Sequence, residues 1–367
     1  MIQVFRPKVN ADKILQELRT VLESGWIGLG PQTEKFERKL AEYIGTEHVI
    51  CTNSCTAALH IAVRLLNLVP GSHVATTPIS FVSTNHVILQ DSLVPVFCDV
   101  EKTTGNISIE SLKQTLMKFN IRAIMVVHIG GYSCEMDEIN ELARKYKIPI
   151  IEDCSHAIGG KYNGKKIGYG DNLCTWSFSA VKNLTTGDGG ALSTQNQEQN
   201  ERARRLRWMG VDKDTISRSQ SGYKWNYDVI ELGDKYHACD ILSTIGLVEL
   251  ENLDKNNRRR KEIADFYLEN ISNCIKPEYK DNRESAYHFL PLFFEDRTKV
   301  VKRLTENNIF PGMHYKRNDL YKCYRYTKRI NGLPNAQWYQ DHELTLPIHL
   351  DLTQNNLDKI VSVVNDC

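Results

Sequence analysis

Lys182 stands between an apolar run and a turn rich in glycine. The run covers residues 174–178, and the turn contains Gly187, Gly189 and Gly190. A lysine enclosed by apolar groups and other cations has a lowered pKa, and its neutral amine is a nucleophile suited to forming a Schiff base. Glycines let a bulky planar ligand approach the backbone closely. The segment therefore predicts an imine-forming lysine, and the alternative interpretation is a solvated lysine in a surface loop.

A turn of small residues begins at Asn53, after the apolar run 48–51. Small residues where a strand meets a helix leave backbone N–H groups exposed at the helix N-terminus, which suits a phosphate group. Such residues also begin helices simply because their side chains cap them. Phosphate binding and ordinary capping are both open interpretations of residues 53–58.

Asp153 follows a second apolar run, residues 148–151. A carboxylate at the end of a buried strand is costly unless it is paired, and a protonated ring nitrogen is one candidate partner. His156 follows closely and could reach the same site. The alternatives are an N-cap aspartate and a histidine that only packs in the core or lies at the surface. Together the three segments offer a phosphate cradle, an acid for a ring nitrogen and an imine-forming lysine, which match the three handles of pyridoxal phosphate (PLP).

The chain resembles the DegT/DnrJ/EryC1/StrS family in three segments: residues 53–60, 152–157 and 177–190. Members of this family are PLP-dependent aminotransferases that act mostly on nucleotide-linked keto sugars. The similarity covers nearly the whole chain and includes residues 24–31, 81–84, 95–100, 312–315 and 346–349. It implies the α/β architecture of fold type I: a large domain with a mostly parallel sheet flanked by helices, and a smaller C-terminal α+β domain.

By position, the resemblance implies roles for four side chains around the PLP ring. Lys182 would hold PLP as an internal aldimine, and Asp153 would pair with the pyridinium nitrogen. His156 would lie near the phenolic oxygen, and Phe81 would stack on the ring face. Lys182 would also transfer a proton during catalysis as general acid and base.

The resemblance implies that the phosphate is held by Cys55, Thr56 and Ser177. In the family a residue of the neighbouring subunit also reaches the phosphate, which implies a homodimer with active sites at the subunit interface. Lys235 stands at the matching position, where many relatives have Asn. Cys55 replaces a Gly of many relatives, a departure that would change the shape of the pocket.

The acceptor site is implied to include Trp26, His314 and Tyr315. Core packing after the first helix is the alternative interpretation of Trp26. Residues 223–227 are aromatic and polar, a composition suited to covering a sugar.

The resemblance implies transfer of an amino group from L-glutamate to the keto group of a nucleotide-linked deoxy sugar. A dehydratase branch of the family carries His in place of the lysine, and Lys182 argues against that branch. Two alternatives are open: a transaminase of a small phosphorylated ketone, and a non-catalytic PLP-binding or regulatory protein.

The elements that must position these residues follow an α/β pattern between about residues 10 and 195. Short apolar runs alternate with helix-length segments such as 56–66 and 135–146, which predicts a mostly parallel sheet. A long helix is predicted over residues 241–260, ending in a basic run that we interpret as a solvated helix end. We expect a large PLP-binding domain over residues 1–250, in which residues 1–30 help to shape the active site, and a small domain over residues 251–367.

The composition is that of a soluble globular protein. Of 367 residues, 41% are hydrophobic and 25% are charged, and 46 Lys and Arg against 45 Asp and Glu give a net charge of +1. No charge imbalance indicates nucleic-acid binding, and no run resembles a signal peptide or a membrane span. The ten cysteines are scattered without a zinc-binding spacing. These features predict a cytoplasmic protein without a structural metal.

Overall fold

The computed structural model describes residues 1–212, 227–329 and 332–367. Within them the strands are β1 (Ile2–Gln3), β2 (His48–Thr52), β3 (His73–Thr76), β4 (Val94–Phe97), β5 (Ile121–Val127), β6 (Ile150–Asp153), β7 (Lys161–Tyr162), β8 (Lys165–Lys166), β9 (Leu173–Ser177), β10 (Gly190–Thr194), β11 (Arg283–Glu284), β12 (Pro291–Phe293), β13 (Ile309–Phe310), β14 (Lys328–Arg329) and β15 (Glu343–Thr345). The α-helices are α1 (Ala11–Ser24), α2 (Pro31–Ile44), α3 (Cys55–Leu65), α4 (Ser83–Gln90), α5 (Ile109–Lys118), α6 (Met136–Tyr146), α7 (Gln197–Leu206), α8 (Asp240–Asn270), α9 (Arg297–Glu306), α10 (Pro334–His342) and α11 (Gln354–Asn365).

The main sheet has eight strands in the order β14-β4-β3-β5-β6-β9-β10-β2. Pairing is parallel from β14 to β9 and antiparallel on both sides of β10. The predicted α/β architecture with a mostly parallel sheet is therefore confirmed. Because β10 runs opposite to both of its neighbours, β2 points in the same direction as β6 and β9. The turns that follow these three strands meet at one edge of the sheet, where ligands of α/β proteins bind.

Strand β10 was not expected from the sequence, which reads there as a glycine turn. Gly190 begins the strand and pairs with Ser177 on β9 and Thr52 on β2. A Cβ at Gly190 would lie only 2.5 Å from the backbone nitrogen of Cys55. Glycine is required here because the start of α3 packs directly on the strand, and this close approach positions the N-terminus of α3.

Helix α8 is longer than predicted and connects two hydrophobic cores. Leu253 packs in a core beneath the main sheet, whereas Ile263 and Tyr267 pack in a core built from the C-terminal elements. The interpretation of the basic run as a solvated helix end was wrong, because the helix continues and Arg260 is buried, with Nη1 donating to the Ile348 carbonyl at 2.9 Å. The domain division at residues 250 and 251 stays a prediction, and α8 passes through it.

A carboxylate from α8 caps helix α2. Asp240 Oδ1 accepts hydrogen bonds from the Thr33 backbone at 2.9 Å and from its hydroxyl at 2.7 Å, and Oδ2 accepts from the Gln32 backbone at 3.0 Å. Gly30 supplies no side-chain cap, and a Cβ there would lie 2.7 Å from Asp240 Oδ2 and 2.9 Å from the Trp26 ring. The cap therefore fixes the loop that carries Trp26.

We expect Asp240→Ala to lower the free energy of unfolding by about 2–3 kcal/mol, because buried N–H groups at the start of α2 lose their acceptor. Chemical denaturation measures this change. Glu269→Ala, an exposed position near the end of the same helix, is the control and should change stability by less than about 0.5 kcal/mol. Equal, small effects of both substitutions would contradict the tertiary cap.

All ten cysteines are unpaired, and six of them are buried. They pack as small apolar residues, as predicted. Within the described parts of the chain, no helix combines the length and apolar content needed to cross a membrane.

Candidate active site

Asp153 ends β6 with its side chain buried; only 3% of the residue is exposed. Oδ2 accepts a hydrogen bond from the Thr84 hydroxyl at 2.7 Å, and Oδ1 accepts from the Ser155 backbone at 3.0 Å and from the Ser155 hydroxyl. No helix begins at Asp153, so the N-cap interpretation does not apply. The three donors fix the orientation of the carboxylate at the edge of the sheet.

The start of α3 forms the candidate phosphate cradle. The Ser54 hydroxyl caps the helix by accepting from the Ala57 backbone at 3.2 Å. The N–H groups of Cys55 and Thr56 belong to the first helical turn, where no intrahelical acceptor exists. The buried hydroxyl of Ser177 lies at the end of the neighbouring β9. Unpaired N–H groups and the helix dipole make this N-terminus suitable for an anion.

Cys55 connects the cradle to the aspartate. Its Sγ lies 3.0 Å from the Ser155 hydroxyl, which also donates to Asp153. Burial raises the pKa of the Cys55 thiol to about 12, and the Asp153 charge adds to this increase. The thiol is therefore neutral at physiological pH.

Lys182 lies in the turn between β9 and β10, where its backbone N–H donates to the Ser179 carbonyl at 2.9 Å. The next residue anchors the turn, because the Asn183 amide donates to Asn257 Oδ1 at 2.8 Å and to the Ala286 carbonyl at 2.7 Å. Burial lowers the pKa of Lys182 to about 8, although the negative charge of Asp153 opposes this change. A much larger fraction of the amine is neutral near pH 8 than for a solvated lysine.

A column of stacked rings lies beside Lys182. Phe5 stacks on His288 with ring centroids 5.0 Å apart, His288 on His156 at 4.8 Å, and His156 on Tyr315 at 5.9 Å. Burial, and then the positive charge of Lys182, hold the pKa values of His156 and His288 well below the usual range. Both imidazoles are therefore neutral. Phe5 brings the N-terminal segment into contact with this column.

His314 is held from β15. Its Nδ1 lies 2.8 Å from the Thr345 hydroxyl, and its backbone N–H donates to Glu343 Oε2 at 2.7 Å. Burial lowers the pKa of His314 to about 3 and raises the pKa of Glu343 to about 8. The charge of Lys182 also acts on His314, which places a third neutral imidazole near the amine.

Three other predicted residues lie at the surface. Phe81 is 59% exposed, and its ring centroid lies 6.4 Å from that of Tyr315. Trp26 lies in the loop between α1 and α2. The amine of Lys235 stacks over the Trp208 ring at 3.8 Å, while its carbonyl accepts from Asn53 at 3.1 Å, beside the cradle. Of the segment predicted to cover a sugar, residues 223–226 lie outside the described residues, and Tyr227 is exposed.

Four residues of the site carry no role in the sequence interpretation: Thr84, Ser155, Asn183 and His288. Thr84, Ser155 and Asn183 stand within segments that match the family, so their polar side chains beside Asp153 and Lys182 were a usable signal. His288 lies in an apolar run of the C-terminal region and reaches the site only through the tertiary fold.

A buried group of possible metal ligands includes the two chain neighbours of Asp153. Atoms of His128, Glu152 and Cys154 lie within 4.8 Å of one another. His128 Nε2 already pairs with Glu152 at 2.9 Å, and its Nδ1 accepts from the Cys134 backbone at 3.1 Å. The absence of a metal stays a prediction.

Comparisons with known proteins agree with this geometry. The DegT/DnrJ/EryC1/StrS aminotransferase family matches residues 8–365. The chain is 35% identical over 333 residues to a UDP-4-amino-4,6-dideoxy-N-acetyl-beta-L-altrosamine transaminase of Campylobacter jejuni, covering 88% of this chain and 86% of that protein. It is 32% identical to the spore coat polysaccharide biosynthesis protein SpsC of Bacillus subtilis, covering 98% and 95% of the two chains.

Among solved structures, Spr1654 from Streptococcus pneumoniae superposes in its PMP-form with a TM-score of 0.92 and 27% identity, covering 99% of this chain and 98% of that chain. The same protein is known in a PLP-form. The match to the family, the fold and the converging lysine and aspartate lead to one conclusion. The chain belongs to the DegT/DnrJ/EryC1/StrS aminotransferase family and is a PLP-dependent aminotransferase of fold type I.

Proposed function

We propose that this aminotransferase moves an amino group from L-glutamate to the keto group of a nucleotide-linked deoxy sugar. The observation that carries the proposal is that Lys182, with its lowered pKa, lies within the electrostatic reach of the buried Asp153, beside the N-terminus of α3. The relative named as a UDP-amino-dideoxy-sugar transaminase supports the acceptor class. The SpsC relative supports a place in polysaccharide biosynthesis.

The residues at this edge of the sheet fit PLP group by group. Cys55, Thr56 and Ser177 would hold the phosphate, and Lys182 would bind the aldehyde carbon. Asp153 would pair with the ring nitrogen. His156 Nδ1 is buried and has no hydrogen-bond partner among the described residues. The phenolic oxygen of PLP would supply that partner.

When bound, PLP supplies an electron-withdrawing ring that lowers the barrier to removing a proton from the amino donor's α-carbon. Asp153 would keep the ring nitrogen protonated through the negative charge of its carboxylate, which Thr84 and Ser155 hold in place. The Lys182 amine would remove the proton from the α-carbon of the amino donor as general base and then return it to carbon as general acid. The neutral histidines nearby carry no charge, and burial alone keeps the pKa of the amine low. Phe81 would cover the exposed face of the ring.

The pKa of Lys182 predicts how PLP uptake depends on pH. Only the neutral amine attacks the aldehyde, so the uptake rate of PLP-free protein should rise with pH and level off above about pH 8. Stopped-flow absorbance measures this rate. N-acetyl-lysine methylamide is the solution control, for which the rate should keep rising toward pH 10.5, the ordinary value for lysine. A protein profile that also rises to pH 10.5 would contradict the lowered pKa.

We further propose a homodimer in the cytoplasm, with Lys235 reaching the phosphate of the neighbouring subunit. The exposed apolar residues Met209, Ile230 and Leu232 lie in the same region and form a candidate interface. The unpaired cysteines agree with a reducing compartment. Light scattering tests the mass. Mixing Lys182→Ala and Lys235→Ala chains tests the shared site, because a mixed dimer contains one intact site and should regain activity.

The substrate is tested with a panel of keto-sugar nucleotides and small keto phosphates, with loss of L-glutamate as the readout. Amination of keto-sugar nucleotides alone supports the proposal. Turnover of only the small keto phosphates would establish the alternative acceptor class. PLP binding without transfer from any amino donor would instead favour a regulatory protein.

A further inference from the structure

Tyr315 is hydrogen-bonded to His156, the histidine proposed to lie beside the phenolic oxygen of PLP. Its hydroxyl lies 3.0 Å from His156 Nε2, and the two rings are nearly parallel, with an interplanar angle of 17°. The sequence assigns Tyr315 only to the acceptor site. The contact with His156 gives it a second role.

The neutral His156 ring has one hydrogen for its two ring nitrogens. A neutral imidazole carries one N–H, on either Nδ1 or Nε2. The phenolic oxygen of PLP is only an acceptor when it is ionised, so an imidazole nitrogen that faces it must donate a hydrogen bond. Burial raises the pKa of Tyr315, so its phenol keeps the proton and is able to donate to Nε2.

We propose that Tyr315 is a positioning residue whose O–H donates to His156 Nε2. This hydrogen bond keeps the hydrogen of the histidine on Nδ1, which faces the phenolic oxygen of PLP. This inference rests on the proposed place of His156 beside that oxygen. Tyr315 acts through His156, and its loss would leave the histidine free to adopt the other tautomer, with a lone pair facing an anionic oxygen.

The rest of the column fixes the plane of the imidazole. His288 stacks on His156, and Phe5 stacks in turn on His288. His288 Nδ1 lies 3.3 Å from Asn183 Oδ1, and the Asn183 amide nitrogen already donates to two other acceptors. The Asn183 oxygen is therefore the acceptor, and His288 is held in one orientation. With the plane fixed, the choice of tautomer is left to the Tyr315 hydroxyl.

The two roles of Tyr315 predict different kinetics. A contact with the acceptor alone would affect only the half-reaction in which the keto substrate is aminated. A residue that orients His156 toward PLP affects PLP affinity and both half-reactions. Measuring the half-reactions separately therefore distinguishes positioning from acceptor binding.

The test compares Tyr315→Phe with Tyr321→Phe, a matched control on the same segment whose ring lies under the Lys316 amine. We expect Tyr315→Phe to raise the PLP dissociation constant about fivefold to tenfold and to slow both half-reactions about tenfold. The control should match the wild type. Nitrogen-15 NMR of the loaded protein should show the Nδ1–H tautomer of His156 in the wild type and its loss in Tyr315→Phe.

His156→Leu removes both ring nitrogens and separates this inference from the proposal beneath it. If His156→Leu leaves PLP affinity unchanged, the place of His156 beside the phenolic oxygen is wrong. If His156→Leu weakens PLP binding while Tyr315→Phe leaves both PLP affinity and the His156 tautomer unchanged, the positioning role of Tyr315 is overturned. Slowing of the acceptor half-reaction alone by Tyr315→Phe would also overturn it.

Discussion

Lys182→Ala should lower kcat by roughly 10⁴-fold or more, the largest effect of any single substitution in the site. The amine has two roles in the proposed mechanism, binding the aldehyde carbon and transferring the proton. Alanine removes both, whereas the helix N-terminus and Asp153 are unchanged and should still bind PLP without a covalent bond. Steady-state amino transfer from L-glutamate measures the loss.

The matched control is Lys147→Ala, a lysine on the same domain that follows α6 and lies away from the catalytic edge. It should retain wild-type kcat. Amino transfer by Lys182→Ala at a rate near that of the control would refute the assignment of Lys182 as the catalytic residue.

Asp153→Asn should lower kcat by about 10²-fold to 10³-fold, because it removes a preorganised charge while keeping the shape of the side chain. The amide oxygen can still accept a hydrogen bond from Thr84, so the fold should be preserved. Without the negative charge, the ring nitrogen of PLP is no longer held in its protonated form. Transient kinetics should locate the loss in proton removal from the amino donor rather than in PLP uptake.

A second substitution tests whether the charge itself matters. Thr84→Val removes one hydrogen bond to Asp153 but leaves the carboxylate, and we expect only about a tenfold loss of kcat. If Asp153→Asn and Thr84→Val had the same small effect, Asp153 would serve only to organise the edge of the sheet.

The chemistry of the site could be predicted from local sequence because its groups follow strand ends. Asp153 ends a buried strand and the Ser54 turn follows one, and parallel strands bring such ends to one edge. Lys182 was recognisable because an apolar strand and several glycines surround it. Local patterns of this kind predict the candidate PLP-binding half of the site.

Long-range packing places His288, strand β10 and the last part of helix α8, which the sequence interpretation missed. His288 lies far from Lys182 along the chain and reaches it only because the C-terminal elements fold back against the turn. Strand β10 was missed because its glycine, read locally, predicts a turn. Its strand conformation depends on pairing with β9 and β2 at the same time. Helix α8 was predicted too short because the carbonyl that pairs with Arg260 comes from a distant loop.

The central claim is a covalent bond between Lys182 and the aldehyde carbon of PLP, and trapping by borohydride tests it most directly. The reduced protein is digested, and the modified peptide is identified by mass spectrometry. We predict one phosphopyridoxyl group per chain, attached to Lys182, and none after the same treatment of Lys182→Ala. A phosphopyridoxyl group on another lysine, or none in wild-type protein loaded with PLP, would contradict the account.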